Sequence, residues 1–289
     1  MLAGRFRVIV QSEWDGKRGD AMIALHARRS AGSIARFAQS RGSARLAVVL
    51  TGTDLYEDLP GSAEAARSLD DAGTIVVLQQ DALVRLDERW RGKARVIFQS
   101  AKGLRARRKA ADRLDCVAVG HLRAEKDPLT VIAAMRLVPR GLPIRLRHIG
   151  APRDPALAQA ARAFAREDYR YTYAGALPHG LARAAMRSAH FLVHASVVEG
   201  GANVIAEAVT GGTAVIASRI SGNLGMLGRS YPGFFEARDA SGLARCLVQA
   251  LEDPRYRSSL ERACKARKAL FAPAAEQSAL RDLARDLLA

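Results

Sequence analysis

The chain has 289 residues, enough for roughly two domains with separate cores, and 49% of them are hydrophobic, arranged in short runs. No apolar stretch approaches the ~18–20 residues of a membrane span, no charged-apolar-small order marks a secretory leader, and Cys116, Cys246 and Cys264 lack zinc or disulfide spacing, so a cytoplasmic protein is expected. The net charge of +16 would attract phosphorylated or otherwise anionic partners, but the densest patch (Lys102, Arg105, Arg107, Arg108, Lys109) has no interleaved aromatics and no nucleic-acid-binding motif, so nucleic acid is not an expected partner.

Strand-like and helical runs alternate from end to end, which predicts an α/β protein with parallel sheets covered on both faces. In the first half the strands are expected at Phe6–Val10, Met22–Leu25, Leu46–Leu50, Thr74–Leu78 and Val96–Phe98, with helices at Ser33–Gln39, Ser62–Asp71 and Gln80–Arg91. A second set of strands is expected at Cys116–Val119, Ile144–His148, Tyr171–Ala174, Phe191–Val193, Ala214–Ala217 and Phe234–Phe235. Three helices close the chain, at Leu243–Leu251, Arg255–Phe271 and Ala274–Leu288. The basic segment Ser100–Asp112 reads as the linker, dividing the chain into 1–110 and 111–289.

Two stretches carry the chemistry of the second half. Glu199-Gly200-Gly201-Ala202-Asn203-Val204 leads from the strand near Phe191 into a helix containing Glu207, which Gly211-Gly212 would end. Backbone N–H groups of Gly201, Ala202 and Asn203 at that helix start would suit a diphosphate, and Glu207 would accept hydrogen bonds from a ribose diol. In Gly120-His121-Leu122-Arg123-Ala124-Glu125-Lys126-Asp127-Pro128, Asp127 is a natural N-cap and Pro128 a natural first helical residue, which leaves the cations on a loop at a strand's carboxyl end.

Glu199 and Glu207, eight positions apart, resemble the Glu-x7-Glu signature of retaining-type glycosyltransferases of the GT-B class, built from two Rossmann-like domains facing across a cleft. The resemblance implies that Glu207 holds the ribose of a UDP-sugar and Glu199 faces the sugar. Gly120–Pro128 is similar to the Gly-Arg-Leu-x-x-x-Lys motif whose cations clamp the donor diphosphate. Lys126 matches its Lys, while His121 stands at the Arg position and leaves Arg123 as substitute cation. Fixed cations would stabilise the charge developing on the departing diphosphate, so neither a metal nor a cofactor is expected. By position, Leu177 would meet the uracil and Ser221-Gly222-Asn223 the donor sugar. The class also implies a last helix returning to the first domain. Its first domain normally opens with a strand, a glycine-rich loop and a helix that have no counterpart before Arg5, so that unit is expected to be incomplete.

Two polar clusters end strands of the first half. Arg28 and Arg29 would bind an anionic acceptor, with Thr51-Gly52-Thr53 beside them, and Asp54 or His26 would accept a proton or orient the acceptor. An N-cap role for Asp54 and an interior position for His26 are equal alternatives. Leu25–Ser30, Thr51–Pro60, Gly120–Pro128, Glu199–Ala208 and Arg219–Gly228 together resemble the selenosugar synthases of selenoneine biosynthesis. That resemblance implies that selenophosphate and UDP-N-acetylglucosamine are joined through a selenium–carbon bond. The alternatives are transfer from a UDP-sugar to a hydroxyl of a lipid or polysaccharide precursor, and an inactive scaffold that binds nucleic acid or membrane through its basic charge.

Overall fold

The computed structural model describes residues 1–289 and divides them into two compact units. The first comprises Met1–Ser100, Glu199–Gly201 and Ala272–Ala289; the second comprises Ala101–Val198 and Ala202–Phe271.

In the first unit, β1 (Met22–Leu25), β2 (Leu46–Val49), β3 (Thr74–Val77) and β4 (Ala94–Val96) pair in parallel in that order. Successive strand residues face opposite sides of a sheet, so each strand must find two covers. Leu46, Val48, Ile75 and Val77 pack with Ile34 and Phe37 of α1 (Ala31–Arg41) and Leu69 of α2 (Ala63–Asp71). Ala47 and Val76, pointing the other way, pack with Ile97 and with Leu283 and Leu287 of α12 (Pro273–Leu288).

This second face corrects the expected division. The last helix, counted within 111–289, returns to cover the first sheet as the resemblance implied, and the Ser100 N–H donates to the Glu276 carboxylate at 2.9 Å. The segment read as a linker belongs from Ala101 onward to the second unit. There Arg183 donates to the Lys102 carbonyl, and Arg187 donates to that of Arg105 at 2.9 Å.

Two other expectations change. Phe6–Val10 forms no strand: Phe6 makes one isolated bridge with Ala3, and Val10 is 91% exposed. Its β-branched residues favour extended backbone, but a strand needs a ladder partner, and none lies beside it. Gln80–Arg91 breaks into α3 (Asp81–Arg85) and α4 (Glu88–Arg91), because Leu86 is extended and Asp87 starts a new helix by accepting from the Arg89 N–H.

The second unit holds β5 (Leu114–Val119), β6 (Ile144–Ile149), β7 (Tyr171–Tyr173), β8 (Phe191–His194), β9 (Ala214–Ser218) and β10 (Phe234–Phe235). All are parallel, in the order β10-β9-β8-β5-β6-β7. The chain builds outward from β5 to β7, returns at β8 beside β5, and then builds the other way. In open α/β sheets the loops at such a reversal diverge and leave a crevice at the carboxyl ends of the strands. Around the sheet lie α5 (Pro128–Leu137), α6 (Pro155–Glu167), α7 (His179–Ser188), α8 (Asn203–Gly211), α9 (Ser221–Leu227), α10 (Ala240–Glu252) and α11 (Pro254–Arg267). No helix of the chain is long and apolar enough to cross a membrane.

Candidate active site

The reversal between β5 and β8 sets the loops that follow these two strands side by side. After β5 the chain turns through Ala124–Lys126 to Asp127, whose φ of +46° lets its carboxylate accept from the Thr130 N–H (3.3 Å) and hydroxyl (2.6 Å) and start α5 at Pro128. After β8, the Val197 N–H donates to the Glu125 carbonyl at 2.9 Å and ties the two loops. A small recess between them is lined by Gly120, Lys126, His148, His194, Ala195 and Ser196. Lys126 runs along the bare face of Gly120. Gly150, which the sequence reading passed over, faces the same loop: a Cβ there would lie 1.8 Å from the Gly120 carbonyl oxygen, so only glycine fits.

Lys126 and the two residues offered as its companions have different surroundings. His121 is exposed, and its Nδ1 accepts from the Ala151 N–H at 3.0 Å, a tie between the ends of β5 and β6. Arg123 is an ion-pair partner of Glu125 rather than a bare substitute cation.

α8 begins at Asn203 after an extended Ala202 and ends at Gly212, with φ +81°. Asn203 is exposed, Val204 half-buried, and Glu207 is 9% exposed. Glu207 Oε1 lies 2.5 Å from His179 Nε2 and 4.0 Å from Arg183 Nε. Leu177 is half-buried in the turn leading into α7, and its neighbour Gly175 accepts from the Gly150 N–H at 2.8 Å. Ser221-Gly222-Asn223, expected to meet the donor sugar, lies at the start of a helix rather than in an open loop. It opens α9, where Gly222 is buried and Asn223 fully so. The Asn223 amide donates inward to the carbonyl (2.9 Å) and hydroxyl (3.1 Å) of Ser218, finishing β9.

The first unit gathers the other residues. His26 follows β1 at φ +75°, a backbone region that a non-glycine residue occupies only when its surroundings hold it there. The holder is Asp54, fully buried at the start of a π-helical turn, Asp54–Asp58. It accepts from the Ala27 N–H (2.9 Å), the Thr51 N–H (2.8 Å) and the Thr51 hydroxyl (2.9 Å), and its Oδ1 lies 2.6 Å from His26 Nδ1. Such employment makes Asp54 an orienting group for His26, with no lone pair facing solvent. Asp58 lies 3.6 Å from His26 Nε2 and pairs with Arg28 at 3.1 Å, whereas Arg29 is exposed and makes no ion pair.

The ligand atoms of His26, Asp54 and Asp58 all fall within 4.8 Å of one another, a composition that metals use. With the Asp54 oxygens engaged by three donors and Arg28 on Asp58, however, the set is an ion-pair network rather than an open ligand cage.

Glu199–Gly201 also belongs to the first unit, with Glu199 half-buried and Thr53 half-buried nearby in sequence to Gly52. A Cβ on Gly200 would stand 2.3 Å from the Gly52 nitrogen, and one on Gly52 would stand 2.5 Å from the Gly200 nitrogen. Close backbone approach therefore explains both glycines. Gly201 likewise has the Leu78 Cβ at 2.8 Å.

Residues 113–253 match the family model described as glycosyl transferases group 1. No curated protein matches the chain in a sequence search. Among solved structures, sucrose-phosphate synthase from Thermosynechococcus elongatus is similar at TM-score 0.73 and 22% identity, covering 93% of this chain and 73% of that one. HepE from Anabaena, in complex with UDP and glucose, is similar at TM-score 0.70 and 14% identity, covering 91% and 78%. An α,α-trehalose-phosphate synthase (UDP-forming) from Burkholderia xenovorans, in complex with glucose-6-phosphate, gives 0.73 and 12%, covering 93% and 73%. At these identities the likeness establishes the fold. Residues 113–253 thus resemble a glycosyl transferase group 1 region, and the chain has the α/β fold of the GT-B glycosyltransferase structures.

Proposed function

We propose that the second unit binds a UDP-sugar and that the first presents a small, multiply charged acceptor. The observation that carries the donor half is Glu207, a recessed carboxylate on α8, the helix that follows the reversal strand β8. A carboxylate accepts two hydroxyl donors at once, which suits a ribose diol. Lys126 and the start of α8 would then neutralise the departing diphosphate.

For the acceptor, the supporting feature is Arg29, exposed and in no ion pair in the loop after β1, with Arg28 beside it on Asp58, since a guanidinium suits a phosphate-type anion through paired hydrogen bonds. In the finest form of the proposal the acceptor is selenophosphate and the donor UDP-N-acetylglucosamine. Selenium forms a bond to the anomeric carbon as the bond from that carbon to the diphosphate oxygen breaks, and the electron pair leaves with UDP.

A second reading, transfer to a hydroxyl acceptor, draws support from the neighbours that bear the names sucrose-phosphate and trehalose-phosphate synthase. Incubating the protein with UDP-N-acetylglucosamine and either selenophosphate or glucose-6-phosphate, with products read by mass spectrometry, separates the two. A selenium-linked sugar supports the first; an O-linked disaccharide phosphate without it supports the second and removes the first.

A further inference from the structure

We propose that His179 is a positioning residue of the nucleoside subsite, holding the Glu207 carboxylate in the orientation that reads a ribose diol. This rests on the reading of Glu207 given above and names a residue that no motif marks.

His179 Nε2 lies 2.5 Å from Glu207 Oε1, and since a carboxylate only accepts, that nitrogen carries the proton. The burial of the two partners is opposite: the Glu207 side chain is 9% exposed and that of His179 is 71% exposed. An imidazole so exposed fills no core and leaves no cavity when removed. It also provides no cap for α7, whose start is set by Pro178 without a side-chain hydrogen bond. Its one polar contact is the carboxylate.

An ionised carboxylate offers about four lone-pair sites. His179 takes one, and Arg183 Nε at 4.0 Å supplies charge without a close bond. Sites therefore remain for both hydroxyls of a diol. Without His179 the flexible glutamate would have to be ordered by the ligand itself, and the lost rotamer freedom would come out of the binding free energy. Contact through the diol also predicts a signature that general destabilisation lacks: the loss concerns only ligands that possess the hydroxyls.

The test is calorimetric binding of UDP and of 2′,3′-dideoxy-UDP to the full chain, its His179→Ala and His179→Gln variants, and Glu207→Gln with and without His179→Ala. The unmodified chain should prefer UDP. His179→Ala should weaken UDP about tenfold, the size of one lost hydrogen bond to a charged group, and leave dideoxy-UDP unchanged. His179→Gln, which keeps an N–H at a similar reach, should restore most of the loss, and in the Glu207→Gln background His179→Ala should add nothing. Equal weakening of both nucleotides, unchanged UDP affinity, or tighter UDP binding in His179→Ala each overturns the proposal while the Glu207 reading stands. An unmodified chain that binds both nucleotides equally, or neither, removes the Glu207 reading and the inference together.

Discussion

Asp54 Oδ1 lies 2.6 Å from His26 Nδ1, and the carboxylate that makes this contact is fully buried and hydrogen-bonded to Ala27 and Thr51 as well. One side chain thus joins the ends of β1 and β2 and holds His26 at its positive φ. The strand-end loops of the first unit are organised by this residue more than by the threonines and glycine around it.

Asp54→Asn turns one acceptor into a donor facing N–H or O–H groups, so at least one buried donor loses its partner. Urea denaturation should show a loss of about 1–3 kcal/mol. His26→Ala on top of Asp54→Asn should lose less than the two single losses combined, because the pair acts as a unit. Unchanged stability in Asp54→Asn would mean that the loops are held by something else.

Arg170 supplies a second test. Its guanidinium is 1% exposed and donates to Asp168 (2.7 Å) and to the carbonyls of Met135 (3.2 Å), Val138 (3.1 Å) and Pro139 (2.7 Å), fastening the end of α5 to the start of β7. The same guanidinium holds the Asp168 carboxyl below its ordinary value. Arg170→Met removes the donor and strands a buried carboxylate, so the second unit should lose about 3–5 kcal/mol. A loss under ~1 kcal/mol would place the pair with ordinary surface ion pairs.

His148 makes stability depend on pH. Burial on β6, with the Tyr171 hydroxyl at 3.0 Å from Nδ1 and Tyr173 edge-on, lowers its pKa from 6.5 to about 4. Between those values the unfolded chain binds the proton more readily than the folded one, so stability falls as pH drops through that window. The contribution is complete above pH 6.5, is lost by about pH 4, and amounts to roughly 3 kcal/mol at most. His148→Gln should remove that part of the slope in denaturation curves measured from pH 7 to 4. Identical slopes in both proteins would show that His148 does not stay neutral in the fold.

Much of the second unit was legible because its signals are local. The buried runs of β5, β8 and β9 need no partner to be recognised, and Asp127-Pro128 and Gly212 act within a few residues of themselves. What depended on distant partners was not legible. Phe6–Val10 has strand composition without a strand beside it, and the return of α12 to the first unit, where Leu283 and Leu287 meet Ala47 and Val76, was implied by family resemblance and by no local signal. Asn223 reads as a polar loop residue and proves to be buried against Ser218. The contact between His179 and Glu207 joins positions 28 apart on two helices, with no motif to announce it. Gly52 and Gly200 read as parts of a binding loop, whereas their mutual backbone approach accounts for both.

In the proposed function Glu207 and Lys126 belong to one nucleotide-sugar site at the reversal of the second sheet. Calorimetric titration of UDP into the unmodified chain, Glu207→Ala and Lys126→Ala measures whether both side chains contribute to that site. Loss of about 1–3 kcal/mol of binding free energy in each variant, with melting behaviour preserved, is the predicted result. UDP affinity unchanged in both variants would contradict it.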